Sequence, residues 1–404
     1  MRKAVLVSSR DLRNPQSSGR SAVLRTALTA LRSYAAETLA LFPTTSDRIG
    51  AEVAEPGLTL QGFSEGAHSL GGLRKLVRYP SSNSLAGLRQ SGATADRLID
   101  QFDPEIVVID GLRSAFGLRQ EGRATILDLE DLLSLRYSRW SQQQFARWQF
   151  SPVAHDPQSW LNRLSSIPTP VLKAGLAAES RLVARSEIAE ARRHTCVSLV
   201  GVSETAAAAE SLRTPTFLLP MAVDPVHTHH ATTGSDRKSI VFVGDLNYFP
   251  NVLAVTWLVE SVMPLLRRWG IILRIVGAAN TAVKAKLSTS DVLFLGYVPD
   301  LATEMRRAAV GVAPQTLAGG LNTKILSYAS FGLPIVATEQ ARAGLISTPP
   351  ISAFVSDAEA FAVAVLEVRD KMAGANQDWL LNTYGTTVTI SRWHDAFAFA
   401  LGIS

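Results

Sequence analysis

The chain has 404 residues, 47% of them hydrophobic and 19% charged, with a net charge of +5. This length suits two domains with sizeable cores, and the composition excludes disordered and fibrous classes. The single cysteine, Cys196, excludes an intramolecular disulfide and fits a reducing compartment.

The N-terminus "MRKAVLVSS" holds an apolar run of only strand length, without the longer apolar region and cleavage site of a secretory signal. No segment reads as the roughly 20 apolar residues of a membrane span. A cytoplasmic protein is therefore expected. Residues 1–224 carry 26 Lys/Arg against 22 Asp/Glu, and the remainder 14 against 13, so the basic excess lies in the first half. It suits an anionic acceptor or peripheral contact with a membrane surface, or is simply a set of solvated arginines. There is no basic run interleaved with aromatics, so nucleic acid is not an expected partner.

In chain order, "KAVLVSS" reads as a buried strand. "SAVLRTALTALRSY" follows at helical spacing. "EIVVID" (105–110), "ATILDL" (124–129) and "CVSLVGVS" (196–203) read as further buried strands, with "TADRLIDQF" and "LAAESRLVARSEIAEARRH" as helices between them. Alternating strands and helices imply a parallel sheet covered on both faces. Residues 141–171 hold four prolines and read as an irregular insertion. The stretch 214–240 reads as an interdomain connection, and its His227, His229 and His230 have no Cys or acidic cluster beside them, so a solvated linker is the better reading than a metal site.

The second half repeats the pattern. "SIVFVG", "ILRIVG", "VLFLGYV", "VGVAPQ" and "LPIVAT" read as strands, with helices that include "VLAVTWLVESVMPLLRRW" and "NTKILSYASF". Two doubly wound α/β domains would leave a cleft at the carboxyl ends of their strands, where such sheets bind ligands.

Several landmarks resemble the GT-B glycosyltransferases, and more narrowly the retaining bacterial enzymes of glycosyltransferase family four. They are "VSLVGVSETAAA" (197–208), "LPMAVDP" (219–225), "FVGDLNYFPNVLAVTWLVESVMPLLR" (242–267), "FLGYVPDLATEMRRAAVGVAP" (294–314) and "TLAGGLNTKILSYASFGLPIVAT" (316–338); "LDLEDLLSLRY" (127–137) also resembles exopolysaccharide-type transferases. The resemblance implies an acceptor domain at 1–224, a donor domain at 225–387 and a final helix at 388–404 returning to the first domain. It implies sugar transfer from a nucleoside-diphosphate sugar to a glycan, lipid-linked or small-molecule hydroxyl acceptor. Retention, a role in polysaccharide biosynthesis and the absence of any metal or cofactor are implied by it as well.

Negative charge grows on the leaving diphosphate during such a transfer, so donors aimed at it matter most. Gly319, Gly320 and Leu321 precede a helix that Asn322 or Thr323 can cap, and Lys324 lies in its first turn; backbone amides at a helix start favour an anion. In the first half, Gly19 and Arg20 open a helix after Ser17 and Ser18, and Arg20 reads equally as a phosphate contact or a solvent-facing residue. Asp110, at the end of "IVVID", is the carboxylate at the position where relatives often carry a His or Glu near the reaction centre, and it reads also as a structural strand end. Asp128, Glu130 and Asp131 form a second acidic group, of which at least two are expected to cap or pair. The resemblance gives Asp110, Lys324 and Arg20 catalytic roles, and carries donor contacts to Gly19, Gly244, Asn247, Val298, Gly319, Gly320, Leu321, Asn322, Lys324 and Ser327.

The sequence also departs from the family. The loop "GDLNYFPN" lacks the Arg and Lys that many relatives place there, and Asp245 would repel phosphate if it pointed inward. Gly319 and Ser327 stand where many relatives carry two glutamates, for sugar and ribose. A serine cannot hold both ribose hydroxyls, a loss of one or two bonds worth roughly 1.5–3 kcal/mol each. Another group or water could hold the ribose, the donor could lack a 2′-hydroxyl, or binding could be weak. The last possibility keeps a second function open: a noncatalytic subunit that binds or activates a partner transferase.

Overall fold

The structure, a computed structural model, describes residues 1–13, 19–44, 49–64, 85–115, 117–119, 122–149, 168–226, 238–317, 319–371 and 374–403. Ser17, Ser18 and the three linker histidines lie outside the described residues. The chain forms two compact units: Met1–Ser138 with Leu176–Ala222 and Thr386–Ser404, and Arg139–Gly175 with Val223–Gly385.

The first unit is built on an eight-stranded sheet: β1 (Lys3–Ser8), β2 (Glu37–Thr44), β3 (Gly50–Glu55), β4 (Leu58–Ser64), β5 (Ile106–Asp110), β6 (Ala124–Glu130), β7 (Cys196–Leu199) and β8 (Thr216–Leu218). Their order is β3-β4-β2-β1-β5-β6-β7-β8, parallel except for the β3–β4 pair. The apolar runs recognised in the sequence are strands buried on both faces. Val5, Val7, Val107, Ile109, Leu127 and Leu129 enter one core, while Ala4, Leu6, Ile106, Val108 and Ile126 enter the other. This is the period-two alternation of a strand between two helical layers. The helix Gly19–Tyr34 and the C-terminal helix Thr386–Ala400 share the second of these cores.

The second unit holds six parallel strands: β9 (Ser239–Val243), β10 (Ile272–Val276), β11 (Val292–Gly296), β12 (Val310–Ala313), β13 (Ile335–Thr338) and β14 (Ser352–Val355). Their order, β11-β10-β9-β12-β13-β14, is the doubly wound 3-2-1-4-5-6 arrangement. Strand order reverses between β9 and β12, and the loops that follow these two strands hold Gly244 and the Gly319–Asn322 turn. The helix Phe249–Trp269 is long and apolar enough to cross a membrane, unlike the sequence expectation. Val252, Val255, Leu258, Val262 and Leu266 nevertheless bury it in the core over this sheet.

One boundary differs from the expected 1–224 body. Residues 139–175 group with the second unit. The rings of Trp140 and Phe145 stand edge-on to Phe249, and Gln149 Nε2 donates to Thr256 Oγ1 at 3.2 Å. Such apolar and polar anchoring cannot be read from an aperiodic, proline-bearing segment.

Candidate active site

In the second unit, the chain leaves β12 through Gln315 and reaches the helix Thr323–Ser330 by way of Gly319 and Gly320. Gly320 has φ +55°, a left-handed conformation that glycine adopts without strain. The turn is seated on backbone: a Cβ at Gly344 would come within 1.9 Å of the Gly320 carbonyl oxygen. Thr338 Oγ1 donates to the Gln315 carbonyl at 2.5 Å and fixes the other side. Asn322 is the N-cap, its side chain accepting from Lys324 N at 3.2 Å, while Leu321 is buried. The orphan amides of the first turn therefore start at a tight glycine turn, as an anion site requires.

The helix is tied to the ends of β9 and β12. Tyr328 is buried, donates to Val312 O at 3.0 Å and accepts from Val243 N at 3.1 Å. Lys324 extends over the end of β9, where its Nζ donates to Asn251 Oδ1 at 2.9 Å and stands 5.4 Å from the Phe242 ring centroid. Gly244 leaves the room, since a Cβ there would meet Asn251 Nδ2 at 2.9 Å and Lys324 Cε at 3.1 Å. Burial lowers the Lys324 pKa to about 8. Among the described residues, no carboxylate forms an ion pair with Lys324. Asp245, which would repel an anion, turns its Oδ1 onto Asn247 N and Nδ2 at 2.8 and 2.9 Å.

Ser327 follows Lys324 by three residues, and so lies on the same side of the helix, half-buried. Val298 follows β11, two strands from β9 in the sheet.

In the first unit, Gly19 and Arg20 open the helix, and the guanidinium is already engaged. Arg20 donates to Glu130 Oε2 at 2.5 Å and to Asp110 Oδ1. Asp110 is buried, and its second oxygen accepts from Ser8 Oγ at 2.8 Å. Gly111 (φ +76°) makes room for the pair, since a Cβ there would come within 2.6 Å of Arg20 Nη2. Arg20 is therefore not the solvent-facing first-turn residue that its position also allowed. Its charge is answered by two carboxylates, and Asp110 is committed to holding it.

The second acidic group is paired throughout. Asp128 accepts from Ser198 Oγ at 3.0 Å, and burial, only partly opposed by Arg20, raises its pKa to about 7. Asp131 binds Arg136, while Glu187 accepts from Ser134 N at 3.2 Å and from its Oγ at 2.5 Å. Glu204 Oε2 accepts from Leu132 N at 3.1 Å, so these acids serve the start of the helix Leu133–Gln142. Glu130 is held in the left-handed region at φ +64°; burial pushes its pKa up, but Arg20, with Arg136 and Arg10, brings it below the ordinary value.

Two units on doubly wound sheets, the second with its glycine turn at the point where strand order reverses, define the GT-B fold. Residues 237–371 match the family of group 1 glycosyl transferases. The chain is similar to the sucrose-phosphate synthase of Thermosynechococcus elongatus (TM-score 0.72, 14% identity, 100% of each chain covered). It is similar also to a glycosyltransferase of Rickettsia africae (TM-score 0.62, 11% identity, 100% of this chain and 99% of that one). A third similar structure is Anabaena HepE in complex with UDP and glucose (TM-score 0.61, 10% identity, 98% and 99%). No curated protein matches the chain in sequence.

Proposed function

We propose that the protein is a glycosyltransferase that moves a sugar from a nucleoside-diphosphate sugar to a hydroxyl acceptor, with retention of configuration. The observation that carries this reading is Lys324, a half-buried ammonium held by the neutral Asn251 side chain at the capped start of a helix and, among the described residues, paired with no carboxylate. Placing such a charge there is costly unless an anion uses it. Anabaena HepE, a structure of the same fold, binds UDP.

In the reaction, the bond from the anomeric carbon to the diphosphate oxygen breaks as the acceptor oxygen bonds to that carbon. The acceptor's proton passes to the leaving phosphate on the same face, so no protein base is needed. Lys324 and the amides beyond Gly320 stabilise the charge that gathers on the diphosphate. Glycans, lipid-linked intermediates and small molecules with a free hydroxyl are the acceptor classes this reading admits, and glycan assembly is its setting.

Calorimetric titration with UDP, GDP, ADP and dTDP tests the donor site. One diphosphate is expected to bind, and Lys324→Ala to weaken it roughly ten- to hundred-fold, the loss of one charged hydrogen bond. Failure of all four to bind would sink the assignment. The engaged Arg20 favours a second reading, a nucleotide-binding subunit without catalysis, because a cation already paired with two carboxylates is less available to a diphosphate. Mass spectrometry of donor hydrolysis and transfer separates the two: sugar release or transfer excludes the subunit.

A further inference from the structure

Lysine offers three N–H donors and a charge that burial penalises. At the end of β9 the ammonium is held without being neutralised. Asn251 is buried, and its side chain is fixed at both ends: Nδ2 donates to Asp245 O at 2.9 Å, and Oδ1 accepts from Lys324 Nζ at 2.9 Å. Gln315, also buried, faces the ammonium from the loop after β12. With its amide turned so that Oε1 accepts from Lys324 Nζ at 3.2 Å and Nε2 donates to Ala313 O, Gln315 gives up the bond that its Oε1 otherwise accepts from Asn322 Nδ2 at 2.9 Å. Two carboxamide oxygens from separate elements therefore take two of the three protons. The third proton and the whole positive charge remain.

Among the described residues, none adds a counter-charge to Lys324. Phe242 lies beneath the ammonium, Gly244 beside it has no side chain, and the Asp245 carboxylate is turned onto Asn247. The contrast with Arg20 is direct, since two carboxylates there cancel the cation they hold. A carboxylate at position 251 would fill the same space as the amide and form a buried ion pair. The pair would hold the lysine as firmly and remove its attraction for an anion.

We propose that Asn251 is a positioning residue for the donor: its side-chain carbonyl, with that of Gln315, fixes the Lys324 ammonium at the end of β9 as an uncancelled charge for a diphosphate. The inference rests on the donor-site reading above. It assigns a function to the loop "GDLNYFPN", which carries no cation of its own, because the helix that starts in this loop supplies the neutral acceptor for a lysine 73 residues away.

The test uses the full chain, UDP and the other nucleoside diphosphates as probes, and two variants. Asn251→Asp keeps the shape and adds the charge. It is expected to weaken diphosphate binding at pH 7 by tenfold or more. It should also move the titration midpoint of the Lys324 13Cε signal upward, beyond pH 9. Asn251→Ala, which serves if the first variant does not fold, removes the acceptor. It should lower that midpoint and weaken binding threefold or more. A merely structural asparagine would leave the lysine midpoint in place. If Lys324→Ala loses binding while a folded Asn251 variant keeps the wild-type affinity and midpoint, the inference fails and the donor-site reading stands. If the wild-type chain binds no nucleoside diphosphate, both fall.

Discussion

Lys324 gives the site a pH signature. Its pKa is lowered to about 8 by burial, so it is charged at pH 7 and largely neutral at pH 9. A nucleoside diphosphate has already lost its last phosphate proton, with a pKa of about 6, in this window. Diphosphate affinity is therefore expected to fall by about tenfold from pH 7 to pH 9, and Lys324→Ala to abolish the dependence. Isothermal titration at the two pH values checks both. Asp128 carries the opposite kind of shift. Its pKa rises to about 7 in the fold, so the folded state binds more protons than the unfolded chain between about pH 4 and pH 7. That contribution to stability is full below about pH 4, still partly present at pH 5 and lost as pH rises through 7. Asp128→Asn, which still accepts from Ser198, should stabilise the protein by about 1–3 kcal/mol more at pH 8 than at pH 5. Melting curves at the two pH values decide it. These two residues also mark what the sequence discloses. The glycine turn, the Asn322 cap and Lys324 are legible, because all act within a few residues of one another. The neighbours of Lys324 are not: Asn251 lies 73 residues away, and Arg20 finds its carboxylates 90 and 110 residues away. Only strand order brings such pairs together, and one sequence does not display it.

At the scale of elements, most buried parallel strands were legible as apolar runs, while the buried β2 and the exposed β3 were not. β3 is exposed along its whole length and shows no alternation, and β2 ends in Pro43-Thr44 directly after a helix. "CVSLVGVS" reads as one strand, yet β7 stops at Leu199 because the helix Val202–Leu212 begins there. The close approaches between loops are equally hidden, and they are where substitutions should act. Gly344→Ala places a methyl against the Gly320 carbonyl, at a distance no folded chain accepts. The donor turn must shift to relieve it. The expected result is a folded protein with at least tenfold weaker diphosphate binding, since the obstruction is backbone that holds the helix start. Crowding of this kind typically costs 1–3 kcal/mol, so the melting temperature should drop as well. Gly122→Ala serves as the control for an added methyl, because its Cβ would meet nothing within 4 Å and only the backbone strain of φ +74° remains. Unchanged binding in Gly344→Ala would show that the turn does not set the site.

At the scale of the molecule, sequence order and compact units do not coincide. The first unit is assembled from three separate stretches, and its last is the C-terminal segment beginning at Thr386. Trp393, Ala396 and Phe397 are fully buried in the core that also holds Leu6, Leu31 and Val108. Ser33 Oγ and His394 Nε2 lie 2.9 Å apart at its rim. A fragment ending at residue 222 therefore keeps the whole eight-stranded sheet and loses part of the cover over one face. Two large aromatic side chains would leave that core, and truncating either to alanine in the full chain is expected to cost about 3–5 kcal/mol. That is a large share of the stability of an ordinary domain. Residues 1–222 expressed alone should thus be aggregation-prone or melt well below the intact chain, and a synthetic peptide of residues 386–403 should raise the melting temperature as its concentration increases. Within the peptide, Trp393→Ala should remove the effect while His394→Ala, at the rim, should retain most of it. A fragment 1–222 that melts like the full chain without the peptide would mean that the C-terminal helix only decorates the first unit.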